Sequence, residues 1–404
     1  MAKILVLTPR FPYPIEAGDT LRIYHICKQL STEHSLTLLS LYESKNKINE
    51  GVEGGVFDKI ERVYQPKWKS WINSLASFLT GNPLQIGYYK SKKFEIKIKN
   101  AIKKYDLALA HLVRTGQYLE KQDDVISVLE MTDALFMNYD RVIKTNHWGL
   151  KKIIYRIEKP RMEKYERETI QYFDLVSLVS DVDRKALLSS EKEAEEDGSV
   201  SVYTNGIDLS ARPYSEPDPD EPPVIAFIGN MRTVHNRDAC KYFAEQVLPR
   251  VRDRLPGTTF RIIGSAEERD VRALEQYEGV DVTGWVDSIP EAAQGTLCGI
   301  GVMRMGAGLQ NKILEYMALG LPVIANERGL EGIQADPPQQ VLLGATPQEV
   351  ADHIVRLARD PEKRMRLSRA GRRFVEKNHQ WEEALRPFVE DINALLEKET
   401  PTIE

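Results

Sequence analysis

Met305 to Asn326 reads Met-Gly-Ala-Gly-Leu-Gln-Asn-Lys-Ile-Leu-Glu-Tyr-Met-Ala-Leu-Gly-Leu-Pro-Val-Ile-Ala-Asn. This stretch constrains the fold more than any other. Gly306, Ala307 and Gly308 leave a backbone that a ligand can approach closely. A short helix follows, from about Gln310 to Leu319. Gly320 supplies its C-terminal glycine and Pro322 forbids continuation. Val323, Ile324 and Ala325 then make a short buried strand. A loop of small residues facing a helix N-terminus offers free N–H groups and the positive end of the dipole to an anion. Lys312 adds a positive charge in the first turn. Glu315 places a carboxylate inside an apolar run, and a carboxylate accepts two hydrogen bonds at once, as a vicinal diol such as a ribose would give. Anion site and diol grip together point to a nucleotide. Spacing alone fits equally well a βα unit whose Glu315 faces solvent.

The chain has 404 residues, length for two or three domains. Its apolar content of 42% and charged content of 28% are ordinary for a globular protein. The net charge of −5 argues against a general nucleic-acid binder. Cys27, Cys240 and Cys298 are far apart, without C-x-x-C, which fits a reducing compartment and excludes a cysteine metal cluster. The N-terminal apolar run is too short for a signal peptide. No run approaches the roughly 18 apolar residues of a membrane span. A cytoplasmic protein is expected, with at most peripheral membrane contact.

In the first half, Ile4–Leu7 reads as a buried strand and Thr8 to Gly18 as a loop. Asp19 or Thr20 is expected to cap a helix with a buried stripe of Leu21, Tyr24, Cys27 and Leu30. Leu36–Leu41 is the next strand. This βαβ unit implies a parallel sheet. Gly18 stands at the helix start, where backbone meets a ligand or merely turns, and G-x-G-x-x-G is missing. Residues 65–104 mix Trp68, Trp71 and Phe78 with the basic run Lys90 to Lys99. They read either as a surface for anionic lipid or as a solvated helix face. The solvated face is favoured because the net charge is negative. Strands at Leu107–Ala110 and Val125–Leu129 lead into His111, Arg114, Glu130 and Asp133, at the carboxyl edge where ligands gather in open sheets. A charged helix over 150–172, a strand at Leu175–Val179, an acidic stretch from Glu191 to Asp197 and a strand at Val200–Tyr203 complete this half.

Arg212 to Pro223 is the richest proline stretch and the expected linker. Asp218-Pro-Asp220 within it has the letters of a metal-binding D-x-D, a reading rejected because its carboxylates sit among linker prolines. A second βαβ series opens at Val224–Ile228. Arg232 and Arg237 follow, placed to clamp a diphosphate, although each alone could be a surface ion pair. Strands at Phe260–Ile263, Val280–Thr283 and Leu297–Met303 lead back to the opening stretch, with Gly284, Trp285 and Val286 at a strand end. Residues 347–397 read as helical.

These strings, in order, resemble the retaining, GT4-like glycosyltransferases of GT-B fold, and among them the sugar transferases of exopolysaccharide loci. The residues carrying the likeness are Thr8-Pro-Arg-Phe-Pro-Tyr-Pro with Gly18 and Arg22, His111-Leu-Val-Arg114, Asn205-Gly-Ile-Asp208, Phe227-Ile-Gly-Asn-Met, Val282-Thr-Gly-Trp-Val286 and Lys312 through Ile324. The resemblance spans almost the whole chain. It implies two Rossmann-like domains with parallel sheets facing across a cleft. Domain one would cover 1–208 plus a crossing helix at about 382–404, and domain two 224–381, joined by a linker at 209–223. It implies transfer of a sugar from a nucleoside diphosphate sugar to a sugar, lipid-linked or small-molecule acceptor, without metal or cofactor. Glu315 would bind the ribose, and Arg232 and Arg237 the diphosphate. Gly284, Trp285 and Val286 would meet the base. Gly306, Ala307, Gly308, Leu309 and Lys312 would surround the phosphates and sugar. Gly18, His111 and Arg114 would approach the sugar, and Asp19, Arg22 and Asp133 would lie on the acceptor side. Many relatives carry a second glutamate eight residues before the one matching Glu315. Ala307 stands there instead, which implies altered sugar recognition.

Overall fold

The computed structural model describes residues 1–15, 18–43, 55–120, 122, 124–143, 150–188, 199–216, 223–305 and 309–398. The loop Gly306, Ala307, Gly308, the Asp218 and Asp220 pair and the acidic stretch from Glu191 to Asp197 lie outside the described residues. The chain divides into two compact units: Met1–Thr204 with Leu385–Glu404, and Asn205–Ala384.

The first unit is built on seven strands, all paired in parallel: β1 Lys3–Thr8, β2 Ser35–Tyr42, β3 Lys59–Tyr64, β4 Leu107–His111, β5 Ile126–Thr132, β6 Leu175–Leu178 and β7 Val200–Val202. Their order is β3-β2-β1-β4-β5-β6-β7. The central strands are near-continuous apolar runs because helices cover both faces. Edge strand β3 is only partly buried. Its sequence, Lys-Ile-Glu-Arg-Val-Tyr, gives too polar a pattern to have been read as a strand.

Helix α1 spans Gly18–Leu30. It starts before Asp19 and Thr20, so neither caps it; Asp19 lies in the first turn and pairs with Arg10 at 2.6 Å. The buried stripe is Ile23, Ile26, Cys27 and Leu30, with Leu21 and Tyr24 only half-buried. The rotation brings Arg22 fully inside. Helices α2 Lys67–Leu79, α3 Leu84–Tyr88 and α4 Lys92–Ala101 follow β3. The outward face of α2 is solvated, and it carries the apolar side chains Trp68, Trp71, Ile72, Leu75 and Leu79.

The second unit has six parallel strands: β8 Val224–Ile228, β9 Thr259–Ile263, β10 Val280–Gly284, β11 Cys298–Gly301, β12 Val323–Ala325 and β13 Leu342–Leu343. Their order is β10-β9-β8-β11-β12-β13. Both sheets therefore reverse their winding beside their first strand, between β1 and β4 and between β8 and β11. In open parallel sheets ligands bind at the carboxyl ends of strands at such a reversal.

The helix Asn311–Leu319 ends at Gly320, whose φ of 82° is left-handed, as a helix-closing glycine requires. A Cβ there would also meet the Ser215 carbonyl at 2.6 Å. Tyr316 ties this helix to the sheet: its hydroxyl accepts from the Ile228 N–H at 2.8 Å and donates to the Ile300 carbonyl at 3.2 Å. Three helices end the chain: Pro347–Arg359, Pro361–Asn378 and Trp381–Lys398. From Leu385 the last helix belongs to the first unit. There Phe388 packs edge-on to Tyr203 at 5.1 Å, and Tyr203 donates to Asp391 at 2.5 Å.

Candidate functional site

At the reversal of the first sheet, β4 ends on His111 and β5 carries Glu130 beside it, in register. His111 Nδ1 lies 2.5 Å from Glu130 Oε2, and Arg22 Nε donates to Oε1 at 2.7 Å. Arg22 and Glu130 are wholly buried. The rest of the guanidinium meets Ser177 Oγ at 3.1 Å and the Thr204 carbonyl at 3.4 Å. Burial pushes the Glu130 carboxyl up, but the Arg22 charge and the His111 hydrogen bond overcome it and hold it at about 2. An ionised carboxylate only accepts, so His111 carries its proton on Nδ1. Among the described residues Nε2 has no hydrogen-bond partner. Arg22 is thus an interior support rather than a group facing an acceptor.

Arg114 lies in the short helix after β4. Its Nε donates to Gln85 Oε1 at 2.8 Å and its guanidinium sits 5.5 Å from the Tyr89 ring centre. Gly18 is exposed at the start of α1. Burial pushes the Asp19 carboxyl up, but Arg10, His111 and Arg114 pull it below its ordinary value. Asp19, His111 and Arg114 therefore share one electrostatic neighbourhood. Asp133 accepts from Asn138 at 2.9 Å, and burial with nearby Asp183 pushes its carboxyl up to about 6. It is a half-buried acid.

At the reversal of the second sheet, β8 ends in a tight turn. Asn230 Oδ1 accepts from the Arg232 N–H at 2.9 Å, and Asn236 Nδ2 donates to the Asn230 carbonyl at 3.0 Å. A Cβ on Gly229 would meet Asn236 Nδ2 at 2.7 Å, so a larger residue there would have to displace the Asn236 amide. Arg232 is exposed. Arg237 is turned the other way, donating to the Met231 and Arg232 carbonyls at 2.8 and 3.1 Å and lying 3.7 Å from Asp270. The two arginines do not form a matched pair of clamps. Lys312 is buried, not presented on a surface. Its Nζ donates to Asn236 Oδ1 and Gln310 Oε1, both at 3.0 Å, 5.0 Å from the Phe227 ring centre. Burial lowers its pKa to about 8. Leu309 is also buried.

Glu315 does not face open solvent. One oxygen lies 3.8 Å from Arg212 Nη2, and Oε2 is buried without a hydrogen-bond partner among the described residues. Burial raises its pKa, against the pull of Arg212 and Lys312. An unmet acceptor in a buried carboxylate is costly, and a donor hydroxyl would satisfy it. Arg212 was invisible to the sequence reading, where it is only the first residue of the linker. At the end of β10, Gly284 has φ 70° and Trp285 is 71% exposed, with Val286 half-buried beyond it.

Residues 222–360 match the family described as glycosyl transferases group 1. No curated protein matches the chain. Solved structures with similar folds include Anabaena HepE in complex with UDP and glucose, at 15% identity and TM-score 0.66, covering 98% of this chain and 100% of that one. Sucrose-phosphate synthase from Thermosynechococcus elongatus, at 16% identity and TM-score 0.70, covers 98% and 100%. S. aureus TarM, at 11% identity and TM-score 0.68, covers 98% and 99%. Identities this low establish the fold alone. It is the GT-B fold, two Rossmann-like domains each built on a parallel sheet.

Proposed function

We propose that this chain, whose residues 222–360 match the glycosyl transferases group 1 family, moves a sugar from a nucleoside diphosphate sugar to an acceptor hydroxyl with retention of anomeric configuration. The observation carrying this reading is the buried, unpartnered carboxylate oxygen of Glu315 at the reversal of the second sheet. It suits the two hydroxyls of a ribose. Trp285 offers a face for a base to stack on. Arg232 and the N-terminus of the helix Asn311–Leu319 suit a diphosphate. UDP is the first nucleotide to test, because the HepE and TarM structures carry it.

In the reaction the bond between the anomeric carbon and the diphosphate oxygen breaks, and the acceptor oxygen bonds that carbon on the same face. The acceptor proton passes to the departing phosphate. Negative charge grows on the leaving group. Arg232 and the helix N-terminus stabilise it as fixed, preorganised charges, in the role a divalent metal would otherwise fill. Arg237 braces the turn that presents Arg232, and Lys312 holds Asn236 and Gln310 beneath the phosphates. His111, oriented by Glu130, offers Nε2 to the sugar, with Arg114, Gly18 and Asp19 close by. The acceptor is a sugar, lipid-linked or small-molecule hydroxyl, as in polysaccharide or glycoconjugate synthesis.

Calorimetry with a panel of nucleotide sugars, followed by turnover, tests this. Glu315→Ala is expected to weaken donor binding at least about tenfold, the loss of one to two charged hydrogen bonds. Arg232→Ala is expected to lower turnover more than binding. Failure of every nucleotide sugar to bind, or unchanged kinetics in both variants, overturns the reading. Product analysis with and without acceptor separates transfer from hydrolysis or epimerisation.

A further inference from the structure

Helix α2 is built inside out. Its inward face is small and polar: Ser70 and Ser74 are buried, and Ser77 lies so close to Gly87 of α3 that a Cβ there would fall 2.0 Å from its Oγ. Ser74 Oγ donates to the Leu84 carbonyl at 2.9 Å and Gln65 reaches Ser70 Oγ at 3.3 Å. The outward face carries Trp68, Trp71, Ile72, Leu75 and Leu79, between 58 and 81% exposed. These stand at i, i+3, i+4, i+7 and i+11, one continuous stripe. A helix on a globular domain ordinarily turns such a stripe to the core.

The apolar surface extends beyond α2. Arg161, in the helix Leu150–Thr169, lies 4.4 Å from the Phe78 ring centre, and Glu158 of that helix accepts from the Leu84 N–H at 2.6 Å. The same helix exposes Ile153, Ile154 and Ile157. The segment that carries the stripe is strongly basic. Between Pro66 and Tyr105 there are nine lysines and one glutamate, in a chain of net charge −5. Lys97 and Lys99 pair with Glu61 and Glu95, and Lys103 with Asp124. Among the described residues Lys67, Lys69, Lys90, Lys92 and Lys93 pair with no acidic side chain.

We propose that this face of the first unit docks on an anionic lipid surface, with α2 lying in the headgroup layer. Tryptophans are favoured at that depth, where one edge of the ring is apolar and the other wet. Lysines beside an interfacial helix attract anionic headgroups, each worth about a fivefold change in partitioning. A protein partner would need no such one-sided charge, and a second copy of this chain would bring like charge against like. No helix among the described residues is long and apolar enough to cross a membrane, so the contact is peripheral. The proposal stands apart from the sugar-transfer reading, since it concerns binding by the chain without donor or acceptor.

Vesicle co-sedimentation of the full chain tests it, with phosphatidylcholine alone or mixed with about a third phosphatidylglycerol, the latter within the range of anionic membranes. Binding is expected to the mixed vesicles and to weaken as salt rises. The double substitution Trp68→Ser and Trp71→Ser is expected to lower partitioning at least tenfold. Lys67→Glu with Lys69→Glu is expected to abolish the preference for anionic lipid. All four side chains lie on the outer helix, and an unchanged melting temperature confirms folding. If the chain ignores anionic vesicles, or the variants sediment like the parent, the proposal falls. It also falls if the parent is a dimer that the tryptophan variant dissolves without any lipid binding.

Discussion

Arg22 and Glu130 form a wholly buried ion pair, and its energetics can be worked in two independent ways. Removing one partner of such a pair strands the other charge in the interior and costs about 3–5 kcal/mol. Glu130→Gln takes from the buried Arg22 guanidinium the carboxylate charge that its Nε meets at 2.7 Å. Arg22→Met leaves the carboxylate with His111 and Thr132. Each single change is expected to cost about 3–5 kcal/mol, and the double variant at least about 2 kcal/mol less than the sum, because no stranded charge remains. The second route is acid. A carboxyl held at about 2 instead of 4.5 contributes about 3 kcal/mol. Because the folded value is depressed, that contribution is whole above pH 4.5 and is lost as pH falls through about 2. Native-state hydrogen exchange at the β4 and β5 amides reads the opening of the first sheet directly. If the single variants cost under about 1 kcal/mol each and simply add, the pair is not the strut argued here. Loss of acid sensitivity in Glu130→Gln is the matching check.

Two other predictions concern stability. The β8–β11 pairing stops at Ala226 and Gly299, so the Ile228 N–H relies on the Tyr316 hydroxyl; Tyr316→Phe is expected to cost about 1–3 kcal/mol in urea unfolding. Burial pushes the Glu166 carboxyl up to about 8, against hydrogen bonds from the Phe136 and Leu135 N–H groups. A raised folded value means stability falls as pH climbs from about 4.5 through about 8, by up to about 1.4 kcal/mol per pH unit. Glu166→Gln is expected to flatten that slope in unfolding followed between pH 6 and 9.

What the sequence shows and what it hides divide along one physical line. Backbone periodicity is local, so the strands at Val224–Ile228 and Val323–Ala325 and the stop at Gly320 could be read directly. Their residues must be apolar, or glycine, whatever lies around them. Partner choice is not local. Arg22 is one arginine among many until Glu130, 108 residues away, is folded against it. Lys312 looks like a phosphate contact in sequence, yet Asn236 and Gln310 enclose it, and nothing within its own helix announces that. Glu315 shows the same dependence from the other side. The run Ile-Leu-Glu-Tyr-Met-Ala marks it as misplaced, but only the fold shows Arg212 standing off at 3.8 Å and one oxygen left unmet. Helix α2 is the sharpest case. Its stripe of Trp68, Trp71, Ile72, Leu75 and Leu79 is strongly periodic, and periodicity read alone turns that face inward. Gly87 and the serines decide otherwise, because they let α3 approach on the opposite side. A pattern in sequence therefore identifies two unlike faces of a helix, while the residues across the contact decide which face is buried. Where that choice exposes the apolar face, the fold has left unfinished a contact that another surface can complete.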